Sequence, residues 1–205
     1  MLALFIALAV LLLLVILLLI FYPNIYRKIL SNRYINVYGK RIYRIALDND
    51  FYLINQVKLA SRSTKSININ HLLFGDKYIY LISDYYYRGE ILAKENDNSW
   101  IFRPRNKKEK SCYIDNPLLI SQELVKETSR LTGIDASLFI AITLINNDAI
   151  IKGFESKNKS NFLVHLSKVS KLVETIESRD VSPLKEKQLY YAAHDIARLN
   201  LNKKK

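Results

Sequence analysis

The stretch "ININHLLFGDKYIYLISDYYYRGEI", Ile67 to Ile91, decides the fold class. Ile67, Ile69 and the run Leu72-Leu73-Phe74 make one β run, and Tyr78 to Tyr87 is aromatic and β-branched throughout. Gly75-Asp76-Lys77 between them is a hairpin-type turn, so the two runs should pair antiparallel. Upstream, Tyr52, Ile54, Val57 and Leu59 give an earlier β run, separated by the polar turn Ser61 to Ser66. Downstream, Gly89, Ile91 and Leu92 predict a continuation that pairs with Trp100 to Phe102 across the polar turn Glu95 to Asn98. The expectation is a sheet meander.

Helical patterns flank it. Tyr34 to Leu47 is weakly amphipathic and Asp48-Asn49-Asp50 would stop it. After a charged loop, Arg103 to Lys110, Asn116-Pro117 supplies an N-cap and a first-turn proline for a helix to about Leu131, ended by Gly133. Leu138 to Ile145 is a continuous apolar run short enough for a buried strand, so a crossover back into the sheet is expected. Two helices, Phe162 to Glu177 and Pro183 to Leu199, should close the domain before a frayed tail, Lys203 to Lys205. The predicted class is α/β of the α+β kind, a mixed sheet flanked by helices.

Leu2 to Tyr22 carries no charged residue and as a helix spans roughly 30 Å, the thickness of bilayer hydrocarbon. One transmembrane helix is expected. A cleaved signal peptide would need a charged n-region and a small-residue cleavage site, and Ala7 and Ala9 come too early. Phe21, Tyr22 and Tyr26 suit the headgroup level, and Pro23 is expected to break the helix there. Between Pro23 and Leu47 stand Arg27, Lys28, Arg33, Lys40, Arg41 and Arg44 with no acid, which puts this side in the cytoplasm and the N-terminus outside. Arg27, Lys28 and Arg33 are the membrane-flank residues, each worth about 1 kcal/mol near an anionic surface. The predicted organisation is a transmembrane helix over 1–22, a basic juxtamembrane linker over 23–38, the mixed-sheet domain over 39–150 and a helical extension over 151–205, in a single-pass protein of the cell membrane.

Without the apolar start roughly 180 residues remain, enough for one ordinary core. Cys112 is the single cysteine, which excludes an intramolecular disulfide and a cysteine metal cluster. A formal charge of +12 favours anionic partners, nucleic acid or lipid headgroups. Arg103, Arg105, Lys107, Lys108 and Lys110 cluster on the charged loop and are the candidate nucleic-acid contacts, for weak, sequence-independent binding.

The quoted stretch resembles the paired strands of the nuclease-related NERD domain, of the form "xxIDHIVxGPxGIFVIExKNYxGxI". "NPL" at Asn116 to Leu118 is similar to that family's "NPLxQ", and Leu138 to Ile145 resembles its later apolar strand. The likeness covers about residues 39 to 150 and implies a restriction-endonuclease-like mixed sheet. It also implies metal-assisted phosphodiester hydrolysis, which needs carboxylates converging on Mg²⁺ or Mn²⁺ with a lysine beside the attacking water. The family's positions fall here on Lys40, Asn70, Ser83, Tyr85 and Ile120, none of which is an acid.

No catalytic residue, metal or cofactor is therefore expected, Mg or Mn entering only if acids have migrated. Asp84 and Glu90 are the migrated candidates, with the turn residue Asp76 behind them. By the two-residue period Asp84 points away from Ser83 and Tyr85 and, with Glu90, reads as a solvated strand-end charge. His71, His165 and His194 share no metal-ligand spacing, and Cys112 reads as an inert thiol. The expected function is binding or scaffolding by a degenerate, membrane-held NERD-like domain with a nucleic-acid or protein partner. The alternatives are a divergent metal-dependent nuclease and a single-pass accessory subunit of a membrane complex. No small-molecule substrate is evident.

Overall fold

A computed structural model describes residues 2–60, 66–106, 108–155 and 158–202, without the side chains of 2–9, 18–20, 23, 24, 26, 27 and 29–32. Most of the turn expected at Ser61 to Ser66, Lys107 and the tail Lys203 to Lys205 lie outside these residues, as does the side chain of Arg27. The chain divides into two compact units between Val37 and Tyr38.

Helical backbone, α1, covers Leu2–Asp48 as two helices meeting at a kink at Arg33, where the angles are non-helical, φ −135° and ψ 27°. Pro23 does not end the helix as expected. A proline removes one hydrogen bond from the ladder, and in a helix of this length the turns on either side carry it past. In the first unit Val10 to Leu17 are all exposed. Among the described residues no helix is long and apolar enough to cross a membrane.

The second unit starts on the last turns of α1. Tyr38, Ile42, Ile45 and Ala46 are buried, at the i, i+4, i+7, i+8 spacing of one helix face. Strands β1 (Tyr52–Leu59), β2 (Ile67–Phe74) and β3 (Ile79–Tyr85) follow, each antiparallel to the one before. The turn sets Phe74 opposite Ile79 and His71 opposite Ile82. Strands β7 (Phe139–Ile145) and β9 (Asn161–His165) lie parallel beyond β3, giving the order β1-β2-β3-β7-β9.

β3 and β7 (Phe139–Ile145) are buried on both faces, as parallel central strands require. One face packs Leu72, Phe74, Ile79, Leu81 and Phe139 against Leu124 and Val125 of helix α2 (Pro117–Thr132) and Ala193 and Ile196 of helix α4 (Glu186–Leu199). Gly39 lies against the other, where a Cβ would stand 3.3 Å from His71 Cε1.

The β2–β3 turn is tied to helix α3, Val169–Glu177. Tyr80 Oη donates to Glu177 Oε1 at 2.6 Å and the Lys77 amide to Oε2 at 3.1 Å. Burial raises the Glu177 pKa and raises the Tyr80 hydroxyl further, with the Glu177 charge adding to it. A Cβ at Gly75 would displace the Glu177 carboxylate from its bonds to Tyr80 and Lys77, so glycine leaves room for that tie.

The predicted continuation of the meander is instead a second sheet. β4 (Gly89–Leu92), β5 (Ser99–Pro104) and β6 (Cys112–Asp115) are antiparallel, and β8 (Ile150–Lys152) adds parallel to β4. Leu92 does pair with Ile101, as the turn implied. The core here is Ile91, Ala93, Trp100 and Leu118, and Trp100 Nε1 donates to the Lys94 carbonyl at 2.8 Å. Asn116 caps α2 by accepting from Leu118 N at 2.9 Å and donates to the Glu95 and Asp97 carbonyls. Gly133, at φ 73°, ends the helix.

The helix expected from Phe162 is a correction. Asn161–His165 is strand β9, and a 3₁₀ turn at Leu166–Lys168 leads into α3 at Val169. The open side of β7 offers five residues of backbone pairing to this segment, and that tertiary opportunity outweighs a helical periodicity this short.

Gly89 and Gly133 provide a contrast. A Cβ at Gly89 would run into the Arg103 carbonyl on the neighbouring strand, whereas one at Gly133 meets open space. Gly89→Ala should lower unfolding free energy by about 2–3 kcal/mol through overpacking, and Gly133→Ala by about 1 kcal/mol through the left-handed backbone alone. Urea denaturation of both variants checks the order.

Candidate functional site

Hairpin register places His71 diagonally across from Asp84, since His71 is opposite Ile82 and residues two apart share a face. His71 also sits opposite Asn55 on β1. His71 Nε2 lies 2.9 Å from Asp84 Oδ2, and Nδ1 lies 2.6 Å from Asn55 Oδ1. The His71 and Asp84 side chains are 3% and 0% exposed, while Asn55 reaches the surface.

Asp84 is therefore not the solvated strand-end charge that the sequence suggested. It is buried, and its pKa is raised above the ordinary 3.8 because burial penalises the charged carboxylate, an effect that His71 partly offsets. Among the described residues Asp84 Oδ1 has no hydrogen-bond partner.

The positions where the resemblance implied metal ligands do other work. Asn70 Oδ1 accepts from the Asp84 amide at 3.0 Å, bracing β2 against β3. Ser83 is buried opposite Thr143 of β7, which meets Ser121 of α2 at 3.1 Å. The Tyr85 carbonyl accepts from Tyr38 Oη at 3.1 Å, and its ring stacks on Tyr87 at 6.0 Å. Lys40 and Ile120 are exposed.

Glu90 on β4 is also not a simply solvated charge: it meets Lys152 at 2.5 Å and Arg103 at 3.2 Å, and the Lys152 bond does most to lower its pKa. Arg103 is thus a paired strand residue of β5. Arg105, Lys108 and Lys110 are exposed beyond it. His165 contacts the Ala149 carbonyl at 3.0 Å, His194 stacks on Tyr190, and Cys112 is an exposed free thiol. Among the described residues no group of three or more His, Cys, Asp or Glu could hold a metal ion.

Sequence reasoning treated His71 and Asp84 separately. The signal that joins them was present, because a turn that pairs Phe74 with Ile79 sets the diagonal. No family model, curated protein or solved structure matches the chain.

A raised folded pKa means that the native state holds the Asp84 proton more tightly than the unfolded chain. The Asp84 contribution to stability is then full below its ordinary value of 3.8 and is lost as pH rises through the folded value. Asp84→Asn should flatten this part of the pH dependence, whereas Asp84→Ala should destabilise by about 2–3 kcal/mol by leaving His71 unpaired in the interior. Denaturation of parent and both variants over about pH 4 to 8 measures the difference.

Proposed function

We propose that the chain is a degenerate, non-catalytic NERD-like domain held at the inner face of a membrane by its N-terminal helix and used for binding. The observation that carries this is the fate of the reactive positions. Asn70 is bonded to the backbone inside the sheet, Ser83 is buried, and the neighbouring acid, Asp84, is bound to His71 in the interior. A carboxylate held this way cannot turn outward to a hard cation without breaking a buried pair. Glu90, the other candidate acid, is held by two cations on the second sheet. Within the first sheet, three antiparallel strands preceded by α1 and joined after α2 by the parallel strand β7 are in keeping with a restriction-endonuclease-like core, although β4 to β6 of the second sheet intervene between β3 and α2.

The anchor rests on Leu2 to Tyr22 and on the exposure of Val10 to Leu17, an apolar surface that calls for lipid or a partner. Basic residues after it favour a cytoplasmic domain. Arg105, Lys108 and Lys110, with Lys107, are the groups proposed to meet nucleic acid, weakly and without sequence preference.

The purified full chain in detergent should cleave single-stranded, duplex or nicked DNA no faster than buffer with Mg²⁺ or Mn²⁺. Metal-dependent cleavage that disappears in a folded Glu90→Ala variant would establish a migrated active site and overturn the assignment.

In cells the protein should stay with membranes through carbonate and high-salt washing, because burial in hydrocarbon is not screened by salt. Cys112, being exposed on β6, should react with an impermeant thiol label only after permeabilisation. Salt release, or labelling of sealed cells, would count against the anchor or its orientation respectively.

A further inference from the structure

The second sheet buries one face and leaves the other open. Ile91, Trp100, Ile114 and Ile151 belong to its core, so by the two-residue period their chain neighbours stand on the opposite side. Register joins those neighbours into a row across all four strands: Lys152 of β8 is opposite Leu92, Leu92 is opposite Ile101, and Ile101 is opposite Tyr113 of β6. Leu92 and Ile101 are half-buried, Lys152 is exposed, and Tyr113 is 76% exposed. A second row beside it sets Ile150 opposite Glu90 and Glu90 opposite Arg103. A cavity of about 640 Å³ takes in all four residues of the first row, together with Lys94 and Asp97.

Charge decides the kind of occupant. Glu90 is already held by Lys152 and Arg103, two cations on one acid. Lys94 is exposed at the cavity. Arg88 and Arg105, also exposed, stand where the Arg105 amide donates to the Arg88 carbonyl at 2.9 Å and carries the β4–β5 pairing past the strand ends. Asp97 and Asp115 are the acids left to set against them. The chain then passes through Lys108 and Lys110 into β6, so the open face is continuous with the basic connection.

A surface ion pair or a single exposed tyrosine is ordinary on a solvated sheet. Here the tyrosine, two aliphatic side chains and a lysine share one row, bordered by further cations. Every nucleic-acid base has a flat face that stacks on an exposed aromatic ring, and its backbone phosphates pair with lysine and arginine around it. In a duplex those faces are stacked on one another, so an aromatic platform favours unpaired strands. An acidic peptide would satisfy the cations and leave Tyr113 without a flat partner.

We infer that the open face of the second sheet binds single-stranded nucleic acid, with a base on Tyr113 and the phosphates along Lys152, Arg103 and the basic connection. This rests on the nucleic-acid binding proposed for the domain and gives it a substrate class and a surface.

The test is fluorescence anisotropy of the full chain in detergent with a labelled mixed-sequence strand of about twelve nucleotides, within the length that one stacking surface covers. The strand is offered as DNA and as RNA, and the matching duplex is offered separately. The single strand should bind more tightly than the duplex, and the tighter of DNA and RNA identifies the sugar. Tyr113→Ala should weaken single-strand binding about fivefold or more, as loss of one stacked base does, and Tyr113→Phe should recover it. The double variant Lys108→Gln, Lys110→Gln reads the basic connection by itself: it should weaken strand and duplex alike and flatten their salt dependence. Absence of binding by every probe overturns both the basic contacts and the platform. Equal affinity for strand and duplex overturns the platform while the basic contacts stand, and so does single-strand binding that Tyr113→Ala leaves unchanged in a variant with parental circular dichroism. Binding of an octaglutamate peptide as tight as that of the strand would also overturn it, and would assign the face to an acidic protein segment.

Discussion

The register of β2 against β3 is the constraint from which most of the second unit follows. A turn closed by glycine fixes Phe74 opposite Ile79, and every side chain on both strands is then committed to a face. One face receives Leu72, Phe74, Ile79 and Leu81, which α2 and α4 cover. The other receives His71, Ile82 and Asp84. A one-residue slip would exchange the two sets, driving His71 and Asp84 into the apolar cluster and stranding the leucines. Gly75 and Glu177 hold the turn itself, so the hairpin is locked at its closed end by a helix about a hundred residues later.

The same register bears on the proposed loss of metal-dependent nuclease chemistry. A divalent cation needs hard oxygens that converge on an accessible point. Here two of the oxygens nearest the implied positions are already engaged, Asn70 Oδ1 by the Asp84 amide and Asp84 Oδ2 by His71. Buried polar groups satisfied within the protein stabilise a single arrangement of the sheet, and the more completely they are satisfied the less they can offer a ligand. The unpartnered Asp84 Oδ1 and Ser83 Oγ are the exceptions, and both lie in the interior.

Much of the architecture was legible in the sequence. The first three strands, their hairpin turn, the Asn116 cap, the Gly133 stop and the buried strand at Phe139 all rest on local signals, namely period, turn chemistry and capping, that act over a few residues. Three features were not. β9 has the composition of a helix start and becomes a strand because β7 has an unfilled edge; β4 to β6 leave the first sheet for a second; and α1 passes Pro23. The candidate site divides in the same way. The sequence by itself determined that no acid stands at Asn70, Ser83 or Tyr85 and that Leu2 to Tyr22 is uncharged, since residue identity alone settles both. Only the tertiary structure decided that Asp84 is buried against His71, because burial and long-range proximity depend on which segments the register and the packing of helices bring together.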